Sequence, residues 1–141
     1  MKREIKFRGI KKETKGEWIY GGYFSNTDEE GLEHFIFEVY NGGNPVYDHT
    51  IGQFTGLKDK NGVNIYEGDI LEYKNEFGRH HLSKIFYKTG GLCYSIHDDD
   101  FYKIENEIYF YESCADMQSK GWIIQFEVIG NIYENPKLLN K

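Results

Sequence analysis

IGQFTGLKDKNGVNIYEGDIL, residues 51–71, is the stretch from which the fold can be read. Within it Asp59-Lys60-Asn61-Gly62 is a tight reversal, because an Asp side chain accepts hydrogen bonds from backbone N–H groups ahead of it, and Asn and Gly tolerate φ > 0. It reads as the turn of a hairpin. A calcium loop also opens on Asp and carries Asn and Gly, but it needs acidic ligands at alternate positions and a Glu at the twelfth; this stretch lacks them. Glu67-Gly68-Asp69 before Ile70-Leu71-Glu72-Tyr73 reads as a second turn feeding a strand, with Gly68 allowing the corner and Asp69 bonding its own turn. Such an entry is common in small SH3-like barrels, where closing the sheet removes its exposed edges.

Outward from this centre the same grammar continues. Short runs of Tyr, Phe, Ile and Val are separated by Gly, Asn and Asp, which predicts strands over 5–10, 17–24, 34–40, 50–57, 70–75, 83–88, 92–97, 108–111 and 123–132. Sixteen glycines supply corners, and the two prolines, Pro45 and Pro136, act as punctuation after a Gly-rich loop and after the last apolar run. One short helix is expected from Ser113 as N-cap, with Asp116 three residues on and Gly121 as the stop. The loop from Tyr40 to Thr50 is the expected seam. Residues 1–49 then form an N-terminal β extension packed on a barrel of residues 50–141, within one unit. Ile65, Ile70, Val128 and Ile132 are expected to be buried where the central hairpin meets the C-terminal strand. The expected class is all-β: an SH3-like small barrel with an N-terminal β extension and at most one short helix.

Two long motifs carry a resemblance. Residues 51–71 are one; Val128-Ile129-Gly130-Asn131-Ile132-Tyr133-Glu134-Asn135-Pro136-Lys137-Leu138-Leu139 is the other. With Ile5-Lys6-Phe7-Arg8-Gly9 and Trp18-Ile19-Tyr20-Gly21 at the start, the chain resembles the YopX-like family of phage and prophage proteins over essentially its whole length. Residues 75–120 match poorly, so no function lodged there is inherited. The resemblance implies an SH3-type barrel with an N-terminal β extension and a viral origin, and carries no established activity. The motif residues it singles out are Gly52, Thr55, Gly56, Leu57, Asp59 and Gly62 in the hairpin, Ile65, Tyr66, Gly68 and Asp69 at the strand entry, and Gly130, Asn131 and Pro136 near the C-terminus.

Composition narrows the function classes. A chain of 141 residues that is 39% hydrophobic and 17% aromatic can bury a core, which excludes disorder as its main state. The net charge of -6 leaves no global basic footprint of the kind that neutralises phosphates. Basic residues do cluster early, at Lys2, Arg3, Lys6, Arg8, Lys11, Lys12 and Lys15, where interleaved charge also protects an edge strand from aggregation. Cys93 and Cys114 form no Cys-x-x-Cys pair, so neither a disulfide scaffold nor a zinc site is expected and both read as thiols. No signal-peptide pattern opens the chain and no long apolar run crosses it, so the expected location is the host cytoplasm.

Clusters that suggest chemistry have simpler readings. His97-Asp98-Asp99-Asp100 has the donor types of a magnesium or manganese site, yet neighbours on a strand point to opposite faces. His80-His81 after Phe77-Gly78-Arg79 reads as an exposed turn. Cys93 is four residues from His97, roughly 13 Å along a straight strand, too far for a nucleophile and its base, and it reads as a small core residue. No catalytic residue, metal or cofactor is expected. Among the tyrosines at 20, 23, 66, 73, 87, 94 and 109, packing takes the larger share. Trp18, Tyr20, Tyr23 and Tyr73 are the candidate binding side chains.

The expected function is therefore an accessory phage or prophage protein that binds a host or viral protein and is not an enzyme. The alternatives are a nucleic-acid-binding factor using the basic N-terminal segment, which the acidic balance weakens, and a metal-dependent hydrolase resting on His97 to Asp100 alone. Self-association is also expected, through an apolar strip at Trp18, Ile19 and Phe24 and a basic arm lying on an acidic neighbour.

Overall fold

The computed structural model describes residues 4–74, 76–78, 80–88, 91–95, 97–98, 111–113 and 125–139. Every sheet is antiparallel, and no helix of seven or more residues occurs among the described residues. The all-β expectation holds. The chain folds as two compact units, Met1–Gly56 and Leu57–Lys141. The division falls inside a strand and not in the loop from Tyr40 to Thr50.

The first unit contains β1 (Phe7–Ile10), β2 (Trp18–Asp28), β3 (Gly31–Glu38), β4 (Gly42–Pro45) and the start of β5 (Gly52–Lys58), in the order β4-β3-β2-β1-β5. β2 pairs with β1 through its first residues, Trp18 to Gly21, and with β3 from Gly22 to Asp28. Its apolar alternation begins at Trp18 as the sequence implies, but the strand runs four residues beyond the expected end at Phe24 because β3 supplies a partner to Asp28. The two-residue turn Glu29-Glu30 is held by Asp28 Oδ1, which accepts the Glu30 N–H at 2.8 Å. β4, a Gly-Gly-Asn-Pro strand, was not expected, since its composition has little strand preference. It forms because β3 offers an open edge.

This sheet curls. The chain just past β4, at one edge, meets the chain just past β1 at an isolated bridge between Lys11 and Val46. Lys12 N–H donates to Pro45 O and Tyr47 N–H to Ile10 O, both at 3.0 Å. Curling encloses one face, on which Ile19, Ile36 and Val46 are fully buried, with Phe7 and Ile51 packed against them. Gly9 keeps the approach close: a Cβ at that position would lie 3.0 Å from Val46 Cβ, so the Val46 side chain would have to shift. A 3-10 turn, Asp48–Thr50, precedes β5; the buried Thr50 hydroxyl accepts the Ile10 N–H at 2.9 Å and donates to Tyr47 O at 2.6 Å.

In the second unit β6 (Asn64–Tyr66) lies beside the end of β5. The turn between them is the expected one. Gly62 has φ +80, and Asp59 N–H donates to Val63 O at 2.8 Å. Asp59 is 6% exposed and does more than close its own turn. Its Oδ1 accepts the Asn61 and Val63 N–H groups at 2.8 and 2.9 Å, and its Oδ2 accepts Val128 N–H at 3.0 Å. Gly68 has φ +92, and Asp69 Oδ2 accepts the Tyr66 N–H at 2.8 Å, so the second turn also matches its reading.

Beyond it come β7 (Asp69–Lys74), β8 (His80–Lys88), β9 (Gly91–Ser95), β10 (His97–Asp98), β11 (Tyr111–Ser113) and β12 (Glu127–Asn131). Their order is β11-β9-β8-β7-β12, with β10 also on β8. β11 and β12 stand at the two ends, and pairing among the described residues does not close the sheet into a barrel. Leu57, Ile65, Leu71, Ile85 and Phe126 form the core, with Tyr73 and Val128 packed on it. Ile65 and Ile70 are buried as expected, whereas Val128 and Ile132 are only half-buried. β12 carries a bulge between Val128 and Gly130, and such a bulge re-aims the residues after it. Asn131 then turns the chain, its Oδ1 accepting Tyr133 and Glu134 N–H at 3.0 and 2.9 Å. Pro136 opens the 3-10 turn Pro136–Leu139, where its missing N–H costs nothing.

Two further readings change. His80 and His81 begin β8, paired with Lys74 and Tyr73, instead of lying in a turn. Ser113 is the last residue of β11, opposite Cys93; the rest of the expected helix, 114–121, lies outside the described residues.

Candidate protein-binding face

The face of the first sheet opposite Ile19 and Ile36 is set by register. Arg8 stands opposite Tyr20, Gly22 opposite Phe37, and Phe24 opposite Phe35. Strand alternation places Trp18 on the same side. Exposure rises along β2. Arg8 is 6% exposed, with its guanidinium carbon 4.5 Å from the centroid of Trp18, which is itself half-buried. Tyr20 is 43% and Phe24 49% exposed, and Phe37 on β3 is 45% exposed.

Phe24 organises the far half of this face. Its ring lies 5.9 Å from Phe37, edge to face, and 6.2 Å from Phe35. The Phe37 ring leans over Gly43, where a Cβ would come within 2.7 Å of Phe37 Cζ. Gly22 therefore stays open, with nothing within 4 Å of where its Cβ would sit. Tyr23 points to the other side. It stacks on His34 at 5.8 Å, its hydroxyl is 2.6 Å from His34 Nδ1, and its ring is 5.6 Å from Phe7.

Charge divides along the same strand. No Lys or Arg occurs from Gly16 to Leu57, while Asp28, Glu29, Glu30, Glu33 and Glu38 lie on or between β2 and β3. The cations sit before β2. Among them Lys11 donates to Glu17 at 3.0 Å, and that hydrogen bond holds the Glu17 carboxyl below the usual carboxylate range. Lys12 and Lys15 lie exposed in the β1–β2 connection.

The candidate aromatics thus separate. Trp18 and Tyr20 share one face of the first unit and Tyr23 takes the other, whereas Tyr73 packs on Phe126 in the second unit, ring centroids 5.6 Å apart. The apolar strip expected at Trp18, Ile19 and Phe24 needs correction: Ile19 is fully buried, because alternation turns it into the core. Phe35 and Phe37 take its place. Sequence reasoning missed them, although Phe35-Ile36-Phe37 has the alternation of a strand with one apolar residue inward and two outward. In the metal candidate, His97 and Asp98 are consecutive in β10, and Asp99 and Asp100 lie outside the described residues. Among the described residues no group of three His, Cys, Asp or Glu side chains converges on a metal-sized site.

The motif residues hold the fold. Gly52 pairs with Arg8 in the β1–β5 ladder, Gly56 has φ +85, and Thr55 between them is half-buried. Leu57, Ile65 and Tyr66 are buried. The model of the family described as YopX protein matches residues 6–140. The chain belongs to the YopX family. As a YopX protein it is also similar to a solved structure, "Crystal structure of protein EF1440 from Enterococcus faecalis", at 24% identity and a TM-score of 0.51. That match covers 98% of this chain and 99% of the other and shows a shared fold. No curated protein matches this sequence. Among the described residues no helix is long and apolar enough to cross a membrane.

Proposed function

We propose that this YopX protein is a phage- or prophage-encoded accessory factor that works in the host cytoplasm by binding another protein, without catalysing a reaction. The observation that carries the reading is the face formed by Tyr20, Phe24 and Phe37, aromatic, well exposed and bordered by carboxylates with no cation on the same strands. Aromatic side chains supply most of the energy at protein interfaces at small entropic cost. Carboxylates around such a patch repel nucleic acid and favour a protein carrying positive charge.

The test is crosslinking capture from nuclease-treated host lysate, run in parallel with the wild-type protein and a Phe24→Ser/Phe37→Ser variant that melts normally. Host or phage proteins held by the wild type and lost from the variant support the reading. Equal recovery by both, or none by either, removes this face as the binding site. Titration of labelled DNA and RNA across salt concentrations checks the nucleic-acid alternative, for which no saturable binding is expected.

A further inference from the structure

We infer that the exposed aromatic face of β2 and β3 receives a second copy of this chain, in a two-fold antiparallel arrangement centred near Gly22. The inference rests on reading that face as a protein-binding surface and names the partner that its charge pattern fits.

The two ends of β2 differ in charge. Before it lies the connection in which Lys11 is paired with Glu17 and exposed Lys12 and Lys15 outnumber Glu13; after it lies the turn with Asp28, Glu29 and Glu30. Gly22 is close to the midpoint between these ends. A two-fold axis through that midpoint, with the two β2 strands crossing antiparallel, sets the lysines of each copy against the carboxylates of the other. This self-complementarity is what an isologous interface requires. A copy in the parallel orientation would bring carboxylates against carboxylates and is disfavoured.

Shape supports the same axis. Gly22 presents no side chain and has open space before it, because the Phe37 ring across the ladder leans over Gly43. Phe24, two residues on, stands on the same face and is 49% exposed. The axis would bring the Phe24 and Phe37 clusters of the two copies together around a flat, glycine-lined centre. β2 and β3 also need such cover. From Gly22 to the turn β2 has β3 as its ladder partner, and exposed residues fill that half of β2. Beyond the reach of β4, residues 25–28 and 31–34 form a two-stranded ribbon, which is marginal by itself.

The experiment is sedimentation equilibrium of the full chain over a wide concentration range at about 0.05 M and about 0.5 M salt. The expected result is a species of twice 16.6 kDa that weakens at the higher salt as screening sets in. Gly22→Leu enters open space and should leave melting unchanged while weakening the dimer at least about tenfold. Glu29→Lys/Glu30→Lys should weaken it similarly, and adding Lys12→Glu/Lys15→Glu to that variant should restore it, an outcome that general destabilisation cannot produce. A mass of 16.6 kDa at every concentration overturns the inference, as does a dimer indifferent to Gly22→Leu and to the charge exchange. If the chain is monomeric yet capture from lysate still depends on Phe24 and Phe37, the self-partner is wrong and the binding face stands. If both fail, the reading of the face falls with it.

Discussion

Gly62 and Gly68 both hold positive φ, +80 and +92, but they do so in different surroundings. At Gly62 a Cβ meets nothing within 4 Å, so Gly62→Ala should cost only the left-handed conformation, about 1 kcal/mol. At Gly68 a Cβ would lie 2.9 Å from Tyr133 Cε2, so Gly68→Ala adds displacement of that ring and should cost about 2–3 kcal/mol. Equilibrium urea denaturation of the two variants checks the order, and equal losses would contradict it. Asp59 gives a third residue-scale expectation. Its carboxylate is buried and accepts three backbone hydrogen bonds, one of them from Val128, so Asp59→Ala leaves those donors without their acceptor. A loss of about 3 kcal/mol is expected in the same measurement, which follows from the usual cost of removing a charged partner from buried donors.

Among the elements, β12 is the one whose removal should matter most to the second unit. It occupies an end of the sheet beside β7, and the segment leading into it supplies Phe126 to the core. Phe126 O also accepts Lys60 N–H at 2.9 Å, so the hairpin turn leans on this segment from two sides. A fragment ending at Gly121 should therefore lose cooperative unfolding and most amide protection in β7. A soluble fragment 1–121 with a sharp transition equal to that of the full chain would contradict this. The bulge before Gly130 matters for the same element. A Cβ at Gly130 would collide with Asn135 Oδ1, the atom that accepts Asn131 N–H, so Gly130→Ala should loosen the C-terminal turn as well.

For the whole molecule, the two cores share no residue. Ile36 belongs to one cluster and Leu71 to the other, each fully buried. Each truncation to Ala should cost about 2–5 kcal/mol from lost burial and the cavity left behind. Because the clusters have no member in common, the double variant Ile36→Ala/Leu71→Ala should lose the sum of the single costs within about 0.5 kcal/mol. Denaturation of the three variants measures it. A coupling larger than about 1 kcal/mol would show that the units do not respond separately.

What the sequence determined by itself is the local grammar. Asp59, Gly62, Gly68 and Asp69 announced their turns because a positive φ and an Asx-type hydrogen bond depend on the residue and its near neighbours, and the all-β class followed from runs too short for helices. The family was legible for a similar reason, since the motif residues are the ones that make these turns and cores. Tertiary structure decided the rest. β4 has no strand preference of its own and exists because β3 presents an edge; β2 continues to Asp28 because β3 pairs with it that far. The second acceptor oxygen of Asp59 finds Val128 across 69 positions, a distance no local pattern encodes. Most directly for function, the exposed face had to be read from register. Ile19 and Phe24 are both apolar residues of one strand, and the curl of the sheet against Val46 puts the first inside and leaves the second, with Phe37, facing out.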